Sequence, residues 1–224
     1  MTRRFFRQTG RAFSSGLAAA AFPRAPQVAG PLLKTAFAER DITPDIGMEQ
    51  PGGYGKVFHR SFHDPCKARA AVFDDGATAA AFVGIDSLVI PRQTVLAARE
   101  RIRAKCGMPG DAVMIGASHS HSSGPVGMVL PGEYDHAPPD VRKLAYEHSS
   151  MANAAYLKRV EDAIVDAVVT AHSQRAASRC SFGAGREDKV AFNRRFRMKS
   201  GQSWSHPGQN NPDIVEPAGP IDSV

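Results

Sequence analysis

The sequence predicts an α/β fold, a mixed β-sheet flanked by helices, within a single domain. Two short apolar runs, residues 66–73 and 79–85, are separated by an Asp-Asp-Gly turn signal, which predicts an antiparallel hairpin. Apolar residues recur at helical spacing over residues 157–171, which predicts a long amphipathic helix. The length of 224 residues is enough for one ordinary domain.

Three further elements complete the predicted sheet and its helices. Residues 34–42 alternate loosely in polarity and predict the first strand. A helix is predicted to open at Pro91 and to end at Cys106-Gly107. Residues 112–117 are continuously apolar, which predicts a fourth strand buried on both faces. The remaining predictions are two short strands and a final extended loop, at residues 180–183, 190–193 and 201–224.

Composition and charge restrict the class of protein. Apolar residues make up 42% and charged residues 22% of the chain, which is typical of a globular protein. No run approaches the roughly 20 apolar residues that span a bilayer, so a polytopic membrane protein is excluded. The net charge is +6, but residues 1–40 alone hold seven basic residues and one acidic residue, so the rest is balanced. A neutral body argues against a nucleic-acid partner.

The first residues have the composition of an export signal. Arg3 and Arg4 precede a weakly apolar run at residues 12–22 and small residues at 28–30. We therefore predict a twin-arginine export signal over residues 1–30 and an exported protein, periplasmic or secreted. The alternative is a basic amphipathic segment, and a cytoplasmic protein if no export machinery reads the two arginines.

Two histidines one residue apart give the clearest chemical signal. His119 and His121 directly follow the predicted strand at 112–117. Alternate residues of an extended chain point to the same side, so both imidazoles are expected to reach one small volume. Neutral imidazole is a frequent zinc ligand, and a catalytic zinc takes three protein ligands and leaves one position open. The alternatives are that the histidines cap the loop or face solvent.

Other candidates have weaker support from the residues alone. The run at residues 193–197 carries three arginines, and a guanidinium at a strand end can clamp a carboxylate or polarise a carbonyl. From the residues alone, the default interpretation of this run is a solvated group of charges. Asp86 ends an apolar strand and is either a partner that orients a histidine or an ordinary strand-end aspartate that caps the turn to the next helix. His59 and His63 lie in a glycine-rich loop and are left unassigned.

Six markers in order resemble the N-terminal domain of the neutral/alkaline non-lysosomal ceramidase family. They are Asp41-Ile42-Thr43-Pro44, Gly53-Tyr54-Gly55, Ala68-Arg69-Ala70, Ile85-Asp86, His119-Ser120-His121-Ser122 with Gly124-Pro125, and Asn193-Arg194. The resemblance implies that residues 31–224 are a partial, C-terminally incomplete ceramidase-like N-terminal domain. Family members are zinc amidohydrolases that cleave ceramide, an N-acylsphingosine, to sphingosine and a fatty acid.

The resemblance also implies roles for particular residues. His119 is expected to be a zinc ligand, His121 to assist at the scissile amide, and Arg194 to contact the substrate carbonyl. The family's further ligands, a histidine followed by a glutamate and a tyrosine, come from sequence beyond the position that matches Val224. Here His121 is followed by Ser-Ser-Gly-Pro and Arg194 by Arg-Phe, where the family usually has Ser-Gly-Pro and Ser-Pro.

The sequence therefore predicts a zinc-dependent hydrolase of an amide or related acyl bond, with a small-molecule or lipid amide as substrate and peripheral contact with a membrane. The first alternative is a catalytically silent fragment or binding module with the same fold and no metal. A second alternative, a His-x-His amidohydrolase barrel, needs about 250 residues for eight strand-helix units and is disfavoured by the length of 224.

Overall fold

The computed structural model describes residues 33–53 and 55–223. The predicted export signal at residues 1–30 and Tyr54 of the Gly-Tyr-Gly marker lie outside these residues. Over the described ranges, no helix is both long enough and apolar enough to cross a membrane.

Three α-helices and ten β-strands form within the described residues. In chain order the elements are β1 Lys34–Asp41, β2 Glu49–Gln50, β3 Val57–Phe58, β4 Lys67–Asp74, β5 Ala79–Ile85, α1 Arg92–Cys106, β6 Val113–Ala117, α2 Pro139–Lys143, α3 Ala154–Ser173, β7 Ala176–Ala177, β8 Arg195–Met198, β9 Ser203–Ser205 and β10 Ile214–Pro217. A turn of 3-10 helix at Gly110–Ala112 precedes β6, and a turn of π-helix at Leu144–His148 follows α2.

The main sheet has five strands in the order β6-β5-β4-β1-β7. All neighbouring pairs are antiparallel except β5 and β6, which are parallel. The β4-β5 hairpin turns where predicted, because the Asp75 carboxylate accepts the backbone N–H groups of Ala77 and Thr78 and Gly76 takes a φ of 91°. The parallel pair is joined by α1, which ends at Gly107 in the left-handed conformation. The predicted mixed sheet with helices packed against it is confirmed.

One face of the sheet packs against the two long helices. Helix α3 lies on β1 and β4, and α1 lies on α3. Along β4, Ala68, Ala70 and Val72 are buried, whereas Arg69 between them is exposed. This alternation with period two is expected for a strand that is covered on one side only. The face of α3 predicted from its spacing is the buried one, with Val160 and Ile164 fully buried.

The opposite face of the sheet carries exposed apolar side chains. Phe37, Phe82 and Met114 are 69%, 50% and 61% exposed. The prediction that the strand at residues 112–117 is buried on both faces is therefore wrong. Its continuous apolar run does not reflect double burial, because β6 is an edge strand whose outward residues remain exposed in the described part of the chain.

The C-terminal predictions were only partly correct. Residues 180–183 and 190–193 are irregular instead of extended strands, and almost every side chain there is exposed. The final segment, expected as a loop, contributes β9 and β10 to a separate three-stranded sheet in the order β10-β8-β9. Short strands with polar residues on both sides give little periodicity in the sequence. Whether they form is decided by their pairing with distant segments of the chain.

Tyr156 anchors α3 to the end of β1. Its side chain is fully buried, and its hydroxyl donates a hydrogen bond of 2.5 Å to the carbonyl of Ile42. Burial raises the pKa of Tyr156 well above its usual range, because an ionised phenolate would lose its hydration. The ring also lies against Gly124, where an added Cβ would come within 2.1 Å of Cζ. One side chain therefore fixes the helix, the first strand and the loop after β6.

We expect Tyr156→Phe to lower the free energy of unfolding by about 1–3 kcal/mol at neutral pH, since the Ile42 carbonyl loses its buried donor. In the native protein the raised pKa means that only the unfolded state loses this proton as pH rises above about 10. Stability should therefore fall above that pH by up to about 1.4 kcal/mol per pH unit. Urea unfolding from pH 8 to 11 measures both effects.

Tyr134→Phe is the matched control, because the Tyr134 hydroxyl has no polar partner within residues 33–53 and 55–223. It should leave the stability and its pH dependence near those of the native protein. If the stability of Tyr156→Phe fell with pH above about 10 as steeply as that of the native protein, the role assigned to the Tyr156 phenol would be contradicted.

Candidate metal centre

The parallel pairing of β5 and β6 brings the loops that follow them to the same edge of the sheet. Pairing continues beyond the strands, because Ser118 N donates to the Ile85 carbonyl and Ser120 N donates to the Ser87 carbonyl, both at 3.0 Å. The loop with the two histidines is therefore held against the loop between β5 and α1. The carboxyl ends of parallel strands are a common place for functional sites in α/β proteins.

The two histidines are oriented by separate parts of the chain. Nδ1 of His119 lies 3.0 Å from the carbonyl oxygen of Leu88, in the loop before α1. Nδ1 of His121 lies 3.0 Å from the carbonyl oxygen of Gly52, between β2 and β3. A carbonyl oxygen only accepts hydrogen bonds, so each Nδ1 carries the proton and donates it. Both rings are thereby fixed as the same tautomer.

The ring nitrogens that carry no proton in this tautomer, Nε2 of His119 and Nε2 of His121, face each other. The Nε2 atoms of His119 and His121 are 3.4 Å apart, and the two rings meet edge to face with centroids 5.0 Å apart. With both protons on Nδ1, two lone pairs face one another, which is unfavourable until a proton or a metal cation lies between them. Both residues are exposed, so the pair is accessible from solvent.

The backbone reaches this arrangement differently from the sequence-based expectation. The prediction placed both histidines on a continuing extended chain. Instead β6 ends at Ala117 and His119 has a φ of 62°, in the left-handed region. A non-glycine residue in this region carries strain, and such strain is found at functional sites more often than elsewhere. The convergence of the two rings is confirmed, but a turn produces it.

The donors fit zinc as part of a site. Neutral imidazole Nε2 with Nδ1 bonded to a backbone carbonyl is the usual form of a histidine zinc ligand. A catalytic zinc takes three protein ligands, and the pair offers two. Within residues 33–53 and 55–223, no group of three or more His, Cys, Asp and Glu side chains is gathered around a metal position.

The described contacts of Arg194 lie in the C-terminal sheet and do not include the two histidines. Arg194 directly precedes β8, and its carbonyl accepts the backbone N–H of His206 at 3.0 Å within the C-terminal sheet. Its side chain lines a hollow formed by that sheet. No polar contact among the described residues joins Arg194 to His119 or His121. Its predicted role at the substrate carbonyl stays a prediction.

The Asp86 carboxylate binds the neighbouring strand β4. One of its oxygens accepts the backbone N–H of Lys67 at 2.9 Å and the Arg69 guanidinium at 2.8 Å. The orienting partner of His119 is the Leu88 carbonyl instead. The described contacts of Asp86 therefore include neither the orienting of a histidine nor the capping of the turn before α1.

His59 is a residue of the site region that the sequence left unassigned. Its ring is buried, and Nε2 donates to the carbonyl of Ser123 at 2.8 Å. His63, by contrast, is exposed and, within the described part of the chain, its ring pairs with Asp64 beside it. The hairpin of β2 and β3 that carries His59 was also missed, because two-residue strands give no periodic signal. The only usable signal was the nearby cluster of glycines.

An open hollow of about 1020 Å³ borders the histidine loop. The serines that alternate with the histidines, Ser118, Ser120 and Ser122, line it together with Cys66 and Asp86, whereas the two imidazoles do not. Burial, reinforced by nearby carboxylates, raises the pKa of the Cys66 thiol. The raised pKa favours the protonated thiol.

Gly52 is required for the position of His121. Its φ is 85°, and a Cβ added there would lie 2.3 Å from Nδ1 of His121. We expect Gly52→Ala to push the imidazole off its carbonyl partner. The ring would then populate both tautomers, and the ¹⁵N resonances of His121 should move from those of the Nδ1–H form toward averaged values. Two-dimensional ¹H–¹⁵N spectra of the imidazoles measure this.

Gly201→Ala is the matched control. Gly201 has a φ of 80° but no neighbouring atom within 4 Å of an added Cβ, so the substitution imposes a similar backbone strain without the clash. It should cost about 1–2 kcal/mol of stability and leave the His121 resonances unchanged. Equal spectral changes in both variants would contradict the proposed contact.

Comparisons with known proteins bear on the fold of this site. No protein-family model and no curated protein matches the sequence. Solved structures do match. A ceramidase complexed with C2 shares 21% identity at a TM-score of 0.54, over 73% of this chain and 24% of the ceramidase chain. Neutral ceramidase from Pseudomonas aeruginosa shares 20% identity at a TM-score of 0.53, over 75% of this chain and 25% of the other.

The chain thus spans about a quarter of the length of the ceramidases that it matches. At this level of identity the similarity concerns the fold. The resemblance found in the sequence motifs is confirmed at that level, and the chain has the fold of the N-terminal portion of neutral ceramidase.

Proposed function

We propose that the chain contributes to a zinc-dependent hydrolase of an amide or related acyl bond, of ceramidase type. The observation that carries this proposal is the facing pair of Nε2 atoms of His119 and His121, 3.4 Å apart, with both Nδ1 atoms bonded to backbone carbonyls. In this arrangement the lone pair on Nε2 of His119 is available to a cation, and the lone pair on Nε2 of His121, beside it, is available to a proton. The ceramidase fold supports the choice of reaction.

His119 is the proposed ligand. Its Nδ1–H bond to the Leu88 carbonyl makes Nε2 the only ring nitrogen with a free lone pair, and it raises the basicity of that atom. Zinc, when bound, supplies a Lewis acid that polarises a carbonyl oxygen and makes water more acidic.

His121 is the proposed acid-base group. Because Gly52 holds the proton on Nδ1, Nε2 is free to accept a proton from the attacking water. The same atom then returns the proton to the amide nitrogen as the C–N bond breaks and the C–O bond is complete. Water and amide are thereby converted to a carboxylic acid and an amine, with no other reactant.

Arg194 is proposed to stabilise the oxygen of the tetrahedral intermediate. A guanidinium is planar and permanently charged, which suits a developing oxyanion. Arg194 shares no contact with the histidines among the described residues, so this role requires the substrate or a rearranged C-terminal sheet to bring them together.

A lipid amide is the proposed substrate class, and an exported location follows from the predicted twin-arginine signal. Ceramide-like substrates lie in membranes, so the proposal includes peripheral contact with a lipid surface. The substrate class is tested by incubating the protein with a short-chain N-acylsphingosine and measuring the fatty acid that is released. A zinc-loaded chain that binds the lipid without releasing fatty acid would favour the alternative of a silent binding module.

Zinc binding tests the site before any activity. We expect His119→Ala to weaken zinc binding at least about 10-fold. Loss of a group that merely orients a ligand already lowers metal affinity by about 10-fold or more, and loss of the ligand itself should lower it at least as much. Isothermal titration with zinc measures the change in affinity. His136→Ala is the control, since His136 is also exposed but lies outside the histidine loop. Equal affinities for the two variants would contradict the assignment of His119.

Arg194→Ala should lower kcat for the short-chain amide by about 10²- to 10³-fold with little change in KM, as expected for a group that stabilises only the transition state. Arg195→Ala, one residue away and also exposed, is the control and should retain the native kcat. A rise in KM at constant kcat would instead place Arg194 in substrate binding.

A further inference from the structure

We propose that His59 is a positioning residue for the histidine pair, acting through the β2-β3 hairpin as a clamp on the loop after β6. This inference rests on the proposed function, in which His119 binds the metal and His121 beside it acts as the acid-base group. It concerns what sets the distance between the two Nε2 atoms, which neither the ceramidase comparison nor the ligand assignment addresses.

The two histidines depend on different elements for their positions. His119 is bonded to Leu88, and the preceding serine pairs with the end of β5, so this side of the loop belongs to the main sheet. His121 is bonded to Gly52, so its ring belongs to the hairpin. The separation of 3.4 Å between the Nε2 atoms therefore depends on where the hairpin lies relative to the sheet.

His59 is the buried connection between the hairpin and the loop. Its side chain donates through Nε2 to the Ser123 carbonyl at 2.8 Å, two residues after His121. Only 6% of His59 is exposed, so this hydrogen bond replaces water that the buried groups have lost. The exposed bond from Gln50 Nε2 to Ser122 Oγ, at 3.3 Å, is longer and is open to solvent.

The hairpin is held firmly enough to act as a clamp. His59 N donates to the Met48 carbonyl at 2.9 Å, and the His59 ring packs on Phe62 with centroids 4.7 Å apart. Glu49 ties the other strand to the segment before α3, since its carboxylate accepts Met151 N at 2.9 Å. The hairpin thus contacts two separate parts of the chain, the loop after β6 and the segment before α3.

Removal of the His59 donor should loosen the loop at Ser123 and let His121 move with respect to His119. We expect His59→Leu to shift the His121 resonances and to weaken zinc binding by up to about 10-fold, less than the loss of a group bonded directly to a ligand, because His59 contacts Ser123 and not His119. His59→Gln keeps an amide N–H donor and should bind zinc within about threefold of the native protein.

The experiment compares native protein, His59→Leu and His59→Gln in the full chain by two readouts. Imidazole ¹⁵N spectra without metal report the tautomers of His119 and His121, and titration with zinc reports affinity. Thr94→Val, a change to a buried polar residue in α1, controls for general loss of stability, and thermal unfolding is recorded for every variant. Phe62→Leu, which removes only the stacked ring, is a milder second variant if His59→Leu does not fold.

The expected result is a shift of the His121 resonances and weaker zinc binding in His59→Leu, a smaller effect in Phe62→Leu, and recovery in His59→Gln. Native spectra and affinity in His59→Leu, or equal loss in the Leu and Gln variants, would overturn the proposal. Native protein that binds no zinc would count against the proposed function alone, because the metal-free tautomers of His121 still decide the role of His59.

Discussion

The parallel pairing of β5 and β6 is the constraint on which the candidate site depends. Because α1 carries the chain back across the sheet, both strands end at the same edge and their following loops lie side by side. An antiparallel arrangement would have placed the loop with His119 at the other end of the sheet from Leu88. The hydrogen bond that orients His119 exists only because these two loops meet.

The chemistry of the site follows from the backbone more than from other side chains. Three histidines, His59, His119 and His121, each place one ring nitrogen on a backbone carbonyl. The carbonyl acceptors fix the tautomer of each ring without adding charge. The Nε2 atoms of His119 and His121 therefore each keep an uncharged lone pair, one available to a cation and the other to a proton. Gly52 makes one of these contacts feasible, since any side chain there would overlap the imidazole of His121.

The sheet that supports this site has two different faces. One is packed against α1 and α3 and forms the core, whereas the other presents Phe37, Phe82 and Met114 to solvent within the described part of the chain. A mostly antiparallel sheet can leave one face open to water, although large apolar side chains are unusual on such a face. The chain spans about a quarter of the ceramidases whose fold it shares.

Local sequence determined the elements whose side chains repeat with a clear period. The strands β1, β4 and β5, the helices α1 and α3, and the position of the His-x-His motif after β6 could all be read from the sequence, because burial of one face imposes a period of 2 or 3.6. Tertiary structure decided what periodicity cannot encode: that β6 is half exposed, that residues 180–183 are irregular, and which distant groups orient the histidines. Gly52 and His59 lie more than 60 residues from their partners in the loop, and only the folded chain brings them together.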